Sequence, residues 1–218
     1  MNLTKDQELV CGINAVNEII SVRPNSVTTL FIEDDKGKRI RELDQLAKQN
    51  NIEVVSQDSS FFQKNFSEMN HQSIAIICHK RLEESENFLE SLFEKDNLLL
   101  LILEHITDPH NVGACIRTAA AAGVDAVIVP KNRSCHLTST VRRISSGGAE
   151  LIPFVVVTNI VRTLNKLQSA GVMIYGTDME ASKLYNEISY SNKSALIIGS
   201  EDKGLKRLTL ENCDEIIR

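Results

Sequence analysis

Apolar positions follow two different rhythms along the chain. In Gly12–Ser21, the residues Ile13, Val16, Ile19 and Ile20 recur at spacings of three and four. That spacing predicts an amphipathic helix, stopped by Arg23-Pro24-Asn25. Lys38–Gln49 repeats the pattern with Ile40, Leu43 and Leu46/Ala47. Short β-branched and apolar runs at Val27–Ile32, Ile52–Ser56 and Ser73–Cys78 read as strands. Later in the chain the rhythm changes. Leu98–Leu103, Ala126–Val129, Phe154–Val157, Val172–Tyr175 and Ala195–Ile198 are nearly unbroken apolar runs. Helices are predicted between and after them at Val112–Ala122, Leu137–Ser145, Asn159–Ser169 and Leu205–Glu211. Continuous apolar strands alternating with helices indicate a parallel sheet covered on both faces. The expected fold class is therefore α/β in two parts: a small α/β domain over residues 1–79 and a parallel-sheet domain over residues 97–218. Residues 80–96 are rich in Glu with interleaved Leu and Phe. They read as a linker followed by an amphipathic helix.

Charge is divided unevenly. The net charge of the 218 residues is −5. Residues 1–96 hold 11 Lys/Arg against 17 Asp/Glu, and residues 97–218 hold 13 against 12. An acidic whole does not draw polyanions from a distance, so any nucleic-acid contact must be local. Two patches qualify: Lys36, Lys38, Arg39 and Arg41 in the first part, and Lys131, Arg133, Arg142 and Arg143 in the acid-free run Lys131–Arg143. The longest aliphatic run is far short of the roughly 20 residues that span a bilayer, and the N-terminus has no signal pattern. A cytoplasmic location without membrane contact is expected. Five scattered cysteines without C-x-x-C pairing read as plain thiols, and no metal site is expected.

Several phosphate and metal signatures are missing. The chain has no G-x-x-x-x-G-K-[ST], no G-x-G-x-x-G opening a helix and no H-E-x-x-H. What remains is Asn111, Gly113 and Arg117 after one apolar run, and two later runs that end at Gly176-Thr177 and Gly199-Ser200. Glycine at a strand end lets backbone approach a ligand closely, although a plain strand-to-helix turn uses it equally well. In open α/β sheets, ligands bind outside the carboxyl ends of the strands. Residues 117, 176 and 199 are therefore expected to share one crevice.

These residues match a family. Asn111-x-Gly113-x-x-x-Arg117-Thr118-Ala119, followed by Ala122-Gly-Val-Asp-Ala-Val-Ile-Val-Pro130, resembles motif 1 of the SpoU/TrmH RNA 2′-O-methyltransferases. Gly199-x-Glu201-x-x-Gly204 resembles their motif 2. Further matching segments include Gly12-Ile-Asn-Ala-Val16 and His71-Gln72. The resemblance implies an α/β-knot (SPOUT) methyltransferase domain behind a small ribosomal-protein-like α/β domain that recognises RNA. The family's third motif, the knot-forming segment, does not occur before Arg218. The chain is accordingly expected to be C-terminally incomplete, with the knot segment absent and activity reduced.

The resemblance also implies a chemistry. S-adenosylmethionine would be the cofactor, and a ribose 2′-hydroxyl of a guanosine in large-subunit ribosomal RNA the acceptor. Transfer RNA as acceptor, or a non-catalytic RNA-binding protein, are the competing expectations. Arg117, Asn111 and Glu201 would act at the reacting hydroxyl, with Asn111 a helix N-cap, a polar contact near the site, or both, and Glu201 orienting Arg117 or Asn111. Gly176, Thr177, Gly199 and Gly204 would contact the cofactor. The two basic patches would hold RNA phosphates, and the protein would be a homodimer.

Overall fold

The computed structural model describes residues 3–33, 37–68 and 70–218. The chain divides into two compact units, residues 1–82 and 83–218.

In the first unit the strands are β1 (Gln7–Cys11), β2 (Val27–Glu33), β3 (Glu53–Gln57) and β4 (Ile74–His79). They form a four-stranded sheet in the order β1-β4-β2-β3. β4 runs antiparallel to both its neighbours, and β2 and β3 are parallel. Helices α1 (Ile13–Val22) and α2 (Lys38–Gln49) cover one face, burying Val16, Ile19, Leu43 and Ala47 against Leu30, Ile74 and Ile76. α3 (Ser59–Phe66) covers the other face with Phe62 and Phe66 against Phe31 and Ala75. Both α1 and α2 occupy the segments their apolar spacing predicts. β1 and α3 were not expected from the sequence. α3 is capped by the Asp58 side chain, which accepts from Phe61 N at 2.9 Å.

The second unit is built on a seven-stranded, all-parallel sheet in the order β11-β9-β10-β6-β7-β8-β5. Its strands are β5 (Glu84–Ser85), β6 (Leu98–Leu103), β7 (Ala126–Pro130), β8 (Phe154–Val157), β9 (Met173–Thr177), β10 (Lys193–Ile198) and β11 (Glu215–Ile217). Helices α4 (Pro109–Ala121), α5 (Ser139–Ile144) and α6 (Gly148–Leu151) pack on one face, where Leu101, Leu103, Val127 and Val129 are buried. α7 (Ile160–Ser169) packs on the other face, over Leu100, Ile102, Ile128 and Ile174. α8 (Arg207–Leu210) is a single turn. Alternate residues of β6 thus enter opposite cores, which is why its sequence is apolar throughout.

Residues 83–92, read from sequence as part of a linker followed by an amphipathic helix, belong to this second unit. Glu84–Ser85 pairs with β8, and Glu86–Leu92 is a 3-10 helix that buries Leu89 and Leu92 in the core. Its acidic side chains meet cations of α7. Glu86 accepts from Arg162 at 2.9 Å and Glu90 from Lys166 at 2.8 Å. The strand β11 was also missed, because three residues are too few for an alternation to register.

Candidate functional site

β6 is where the strand order turns. The chain proceeds from β6 outward through β7 to β8, then returns to the other side to build β9, β10 and β11. The carboxyl ends of the adjacent strands β6 and β10 therefore mark a topological switch point, where α/β sheets open a crevice. A cavity of about 320 Å³ lies there. α4 contributes Asn111, Ala114 and Cys115 to its wall, and the end of β10 contributes Ile198, Gly199, Ser200 and Glu201.

The local sequence explains the wall. Asp108 caps α4, its carboxylate accepting from His110 N at 2.8 Å, and Pro109 follows at the first helical position. Of the roles expected for Asn111, capping falls to Asp108 instead; Asn111 is the third residue of the helix. Its side chain is free to reach across the crevice, where Nδ2 donates to Glu201 Oε1 at 2.9 Å. Gly113 sits on the opposite side of α4, where a Cβ would lie 2.7 Å from Ile144, so the absent side chain lets α5 close against the helix. Burial raises the pKa of Cys115 above its ordinary value. At neutral pH it is a thiol, a wall rather than a nucleophile.

The turn after β10 is held by backbone contact. An added Cβ at Gly199 would lie 2.1 Å from the carbonyl carbon of Gly204 and 2.4 Å from Leu205 N. Gly204 N donates to Ser200 O at 2.8 Å, and Gly204 takes φ +60. Glycine is thus required at 199 so that the turn can fold back on the strand end and aim Glu201 at α4. Beneath it, Glu104 is 2 % exposed. Its carboxylate accepts from Lys206 N at 2.9 Å and from Thr209 Oγ1 at 2.7 Å, tying α8 to the end of β6. A second cavity, about 440 Å³, opens on this other side, with Arg133 and Lys206 on its lining. His105 borders both cavities. His105 (φ 57) and Arg133 (φ 57) both hold left-handed backbone, and Nδ1 of His105 lies 3.2 Å from the Arg133 carbonyl.

The sequence-expected residues divide as follows. Asn111, Glu201 and Gly199 come together in the first cavity. Gly176 is one strand away, paired with Ile197. Its missing Cβ is replaced by Cys213 Sγ, 2.7 Å from the Cβ position. Thr177 Oγ1 donates to the Ile197 carbonyl at 3.1 Å. Neither residue is on the cavity lining. Arg117 is exposed, six positions from Asn111 and so roughly 120° around a helix of about 3.6 residues per turn. Of residues 117, 176 and 199, expected to share one crevice, only Gly199 lines this cavity. Lys38, Arg39, Arg41, Lys131, Arg133 and Arg143 are all exposed, whereas Lys36 lies outside the described residues. Arg142 corrects the expectation of a phosphate contact: it is 8 % exposed and its guanidinium donates to Glu150 Oε1 at 2.9 Å. Sequence reasoning missed Glu104, His105 and Lys206. Glu104 and His105 directly follow an apolar strand, the position that could have flagged them.

Among the described residues, no cluster of three or more His, Cys, Asp or Glu is placed to hold a metal ion. No described helix is long and apolar enough to cross a membrane.

Two family models match the two units. One, the SpoU rRNA Methylase family, covers residues 98–218. The other, RNA 2′-O ribose methyltransferase substrate binding, covers residues 9–83. This chain belongs to the SpoU rRNA methylase family. It is 41% identical to the 23S rRNA (guanosine-2′-O-)-methyltransferase RlmB of Pseudomonas aeruginosa, over 97% of this chain and 86% of that protein. It is 36% identical to the enzyme of the same name from Escherichia coli, over 96% and 87% respectively. The solved SpoU methyltransferase AviRb from Streptomyces viridochromogenes, in complex with the cofactor AdoMet, superposes with a TM-score of 0.77 at 19% identity, over 97% of this chain and 81% of that one. The SpoU fold therefore holds for both units, and the Asn111–Glu201 crevice lies inside the part matched to the methylase model.

Proposed function

We propose that this chain transfers a methyl group from S-adenosylmethionine to the ribose 2′-hydroxyl of a guanosine in 23S ribosomal RNA. The observation that carries the reading is the Asn111–Glu201 bond across the β6–β10 switch point. It occurs in a chain about two-fifths identical to an enzyme named for that reaction.

The residues around the crevice fit the cofactor. Ile106, Ala114, Cys115 and Ile198 give apolar walls suited to a nucleoside, and Asp108 and Glu201 bring negative charge suited to a sulfonium. S-adenosylmethionine, when bound, supplies a methyl group that is already activated on sulfur. What the chain must add is alignment and help with one proton. Asn111 holds Glu201 in place, and the folded-back turn at Gly199 fixes the height of both. The role that fits Arg117 is electrostatic. Its guanidinium suits a substrate phosphate and the negative charge that develops on the attacking oxygen.

Arg117 does not line its own chain's crevice. Beside it on α4, Ala114, Cys115 and Thr118 border an apolar groove of about 370 Å³ shared with Leu196 and Ile198. A homodimer that closes this groove and brings Arg117 of one copy to the crevice of the other accounts for both facts. Labelled methyl transfer to 23S rRNA, with mapping of the methylated ribose, tests the activity. Arg117→Ala is expected to lower turnover at least about 100-fold while S-adenosylmethionine still binds. Mixing Arg117→Ala with Asn111→Ala chains should recover activity through hybrid dimers. Failure to recover any activity would place Arg117 in its own chain's site and refute the shared arrangement.

A further inference from the structure

The first unit carries a cavity that the chemistry above does not use. It is a groove of about 450 Å³ between α1 and α2, within the roughly 300–1,000 Å³ range of ligand sites. Its floor is apolar, made by Ile13, Leu43 and Leu46. Its rim is four carboxamides, Asn14 and Asn17 from α1 and Gln45 and Gln49 from α2, with Arg39 at one side. All four amides and Arg39 are exposed. α2 also carries two ion pairs, Lys38 3.8 Å from Glu42 and Lys48 bonded to Asp44 at 2.8 Å. The amides are left facing the groove.

We propose that this groove is a base-reading site that takes an unpaired nucleotide of the ribosomal RNA substrate. Side-chain amides present a donor and an acceptor side by side, the pattern that matches a base edge. RNA sequence is read mainly on splayed, single-stranded bases, because the grooves of the A-form duplex hide their edges. An apolar floor supports the face of such a base while the rim meets its edge, and Arg39 is placed for the adjoining phosphate. A groove meant for phosphates alone would be lined with cations, whereas this one holds four neutral amides, one arginine and Glu42. The assignment rests on the RNA-methyltransferase reading and specifies how the substrate is selected.

The test uses the full chain with a 23S rRNA fragment containing the methylated guanosine, and the same fragment with every loop and bulge base-paired. Asn17→Ala, Gln45→Ala and Gln49→Ala change exposed helical positions, and thermal melts verify that the fold persists. Asn17→Leu and Gln49→Met serve as second variants that keep size and neutrality and remove the amide's donor and acceptor. Each amide variant is expected to weaken binding of the looped fragment about 5- to 100-fold. The salt slope should stay unchanged and the fully paired fragment should bind as before. Arg39→Ala is expected to reduce the salt slope by about one phosphate. If wild type binds the fragment and the amide variants bind it equally well, the groove assignment is wrong while the enzyme reading stands. If the amide variants lose looped and paired RNA alike, the groove is a general backbone contact and base reading is refuted. If wild type neither binds nor methylates the fragment, the functional reading falls and takes this site with it.

Discussion

Replacing Gly199 by alanine separates two explanations of glycine at a strand end. If the glycine exists for a ligand, the free protein tolerates a methyl group and only cofactor affinity falls. The geometry says otherwise. The nearest atoms to the added Cβ are Gly204 C at 2.1 Å, Gly204 O at 2.3 Å and Leu205 N at 2.4 Å, all backbone. Reaching ordinary contact at 3.4 Å requires the turn to retreat by about 1.3 Å. Overpacking of this kind costs about 1–3 kcal/mol. The retreating turn carries Glu201, whose 2.9 Å bond to Asn111 does not survive such a shift. A displacement of about 1 Å in a site can lower turnover about 100-fold. Two other glycines calibrate the measurement. At Gly176 the obstacles are side-chain atoms, Cys213 Sγ at 2.7 Å, Ile216 Cδ1 at 3.0 Å and Cys213 Cβ at 3.3 Å, so alanine there is expected to cost about 1 kcal/mol, the low end for overpacking. At Gly204 no atom lies within 4 Å, but φ is +60, which for alanine costs about 1–2 kcal/mol. Urea unfolding without ligand, followed by circular dichroism, measures all three. Gly199→Ala within about 0.5 kcal/mol of wild type would show that the turn is not held as described.

Two further outcomes follow from named contacts. Glu104→Leu leaves Lys206 N–H and the Thr209 hydroxyl without their buried acceptor, at a cost of about 3 kcal/mol. Glu104→Gln is expected to cost about 1 kcal/mol, because its carbonyl can accept from Lys206 and its amide can donate to a rotated Thr209 hydroxyl. Equal damage from both in urea unfolding would refute the reasoning. At His136, desolvation lowers the pKa, but the Glu83 carboxylate at 2.9 Å and the Lys131 carbonyl at 3.0 Å outweigh it and the value ends raised. A raised pKa means the proton is held more tightly in the folded chain. The stabilisation is therefore complete below about pH 6.5 and is lost as pH climbs through the folded value. Unfolding free energy measured from pH 6 to 8.5 should decline in wild type and flatten in Glu83→Gln. An unchanged decline in that variant would assign the effect to another group.

Which elements the sequence exposes depends on where their pattern is satisfied. β6 and α2 have the bounds their spacing predicts, since each buries a long uninterrupted stripe. The acidic run near residue 90 showed its apolar stripe in the sequence, but the partners of its charges are held elsewhere in the chain. Glu86 and Glu90 stand four apart to match Arg162 and Lys166, also four apart. Read alone, the run has the charge of a solvated linker. Read with α7, it is half of an interface between neighbouring elements of one unit.

The same limit governs the site. Asn111 and Glu201 are 90 positions apart, and only the topology that sets β10 beside β6 makes them a pair. Their motifs named them, but composition alone would not have joined them. Arg142 and Arg143 show the converse. They are chemically identical neighbours in an acid-free run, yet one is buried on Glu150 and the other is exposed. Adjacent helical positions face directions about 100° apart, which here turns Arg142 into the core and Arg143 to the outside. The sequence marks where glycine is needed at 176, 199 and 204, and it leaves open whether a ligand or the chain itself occupies the space. At 176 and 199 the chain occupies it. The contacts left for a cofactor at those positions are therefore with the backbone that these turns arrange. Substitutions there are expected to act on folding and on binding together, and not on binding alone.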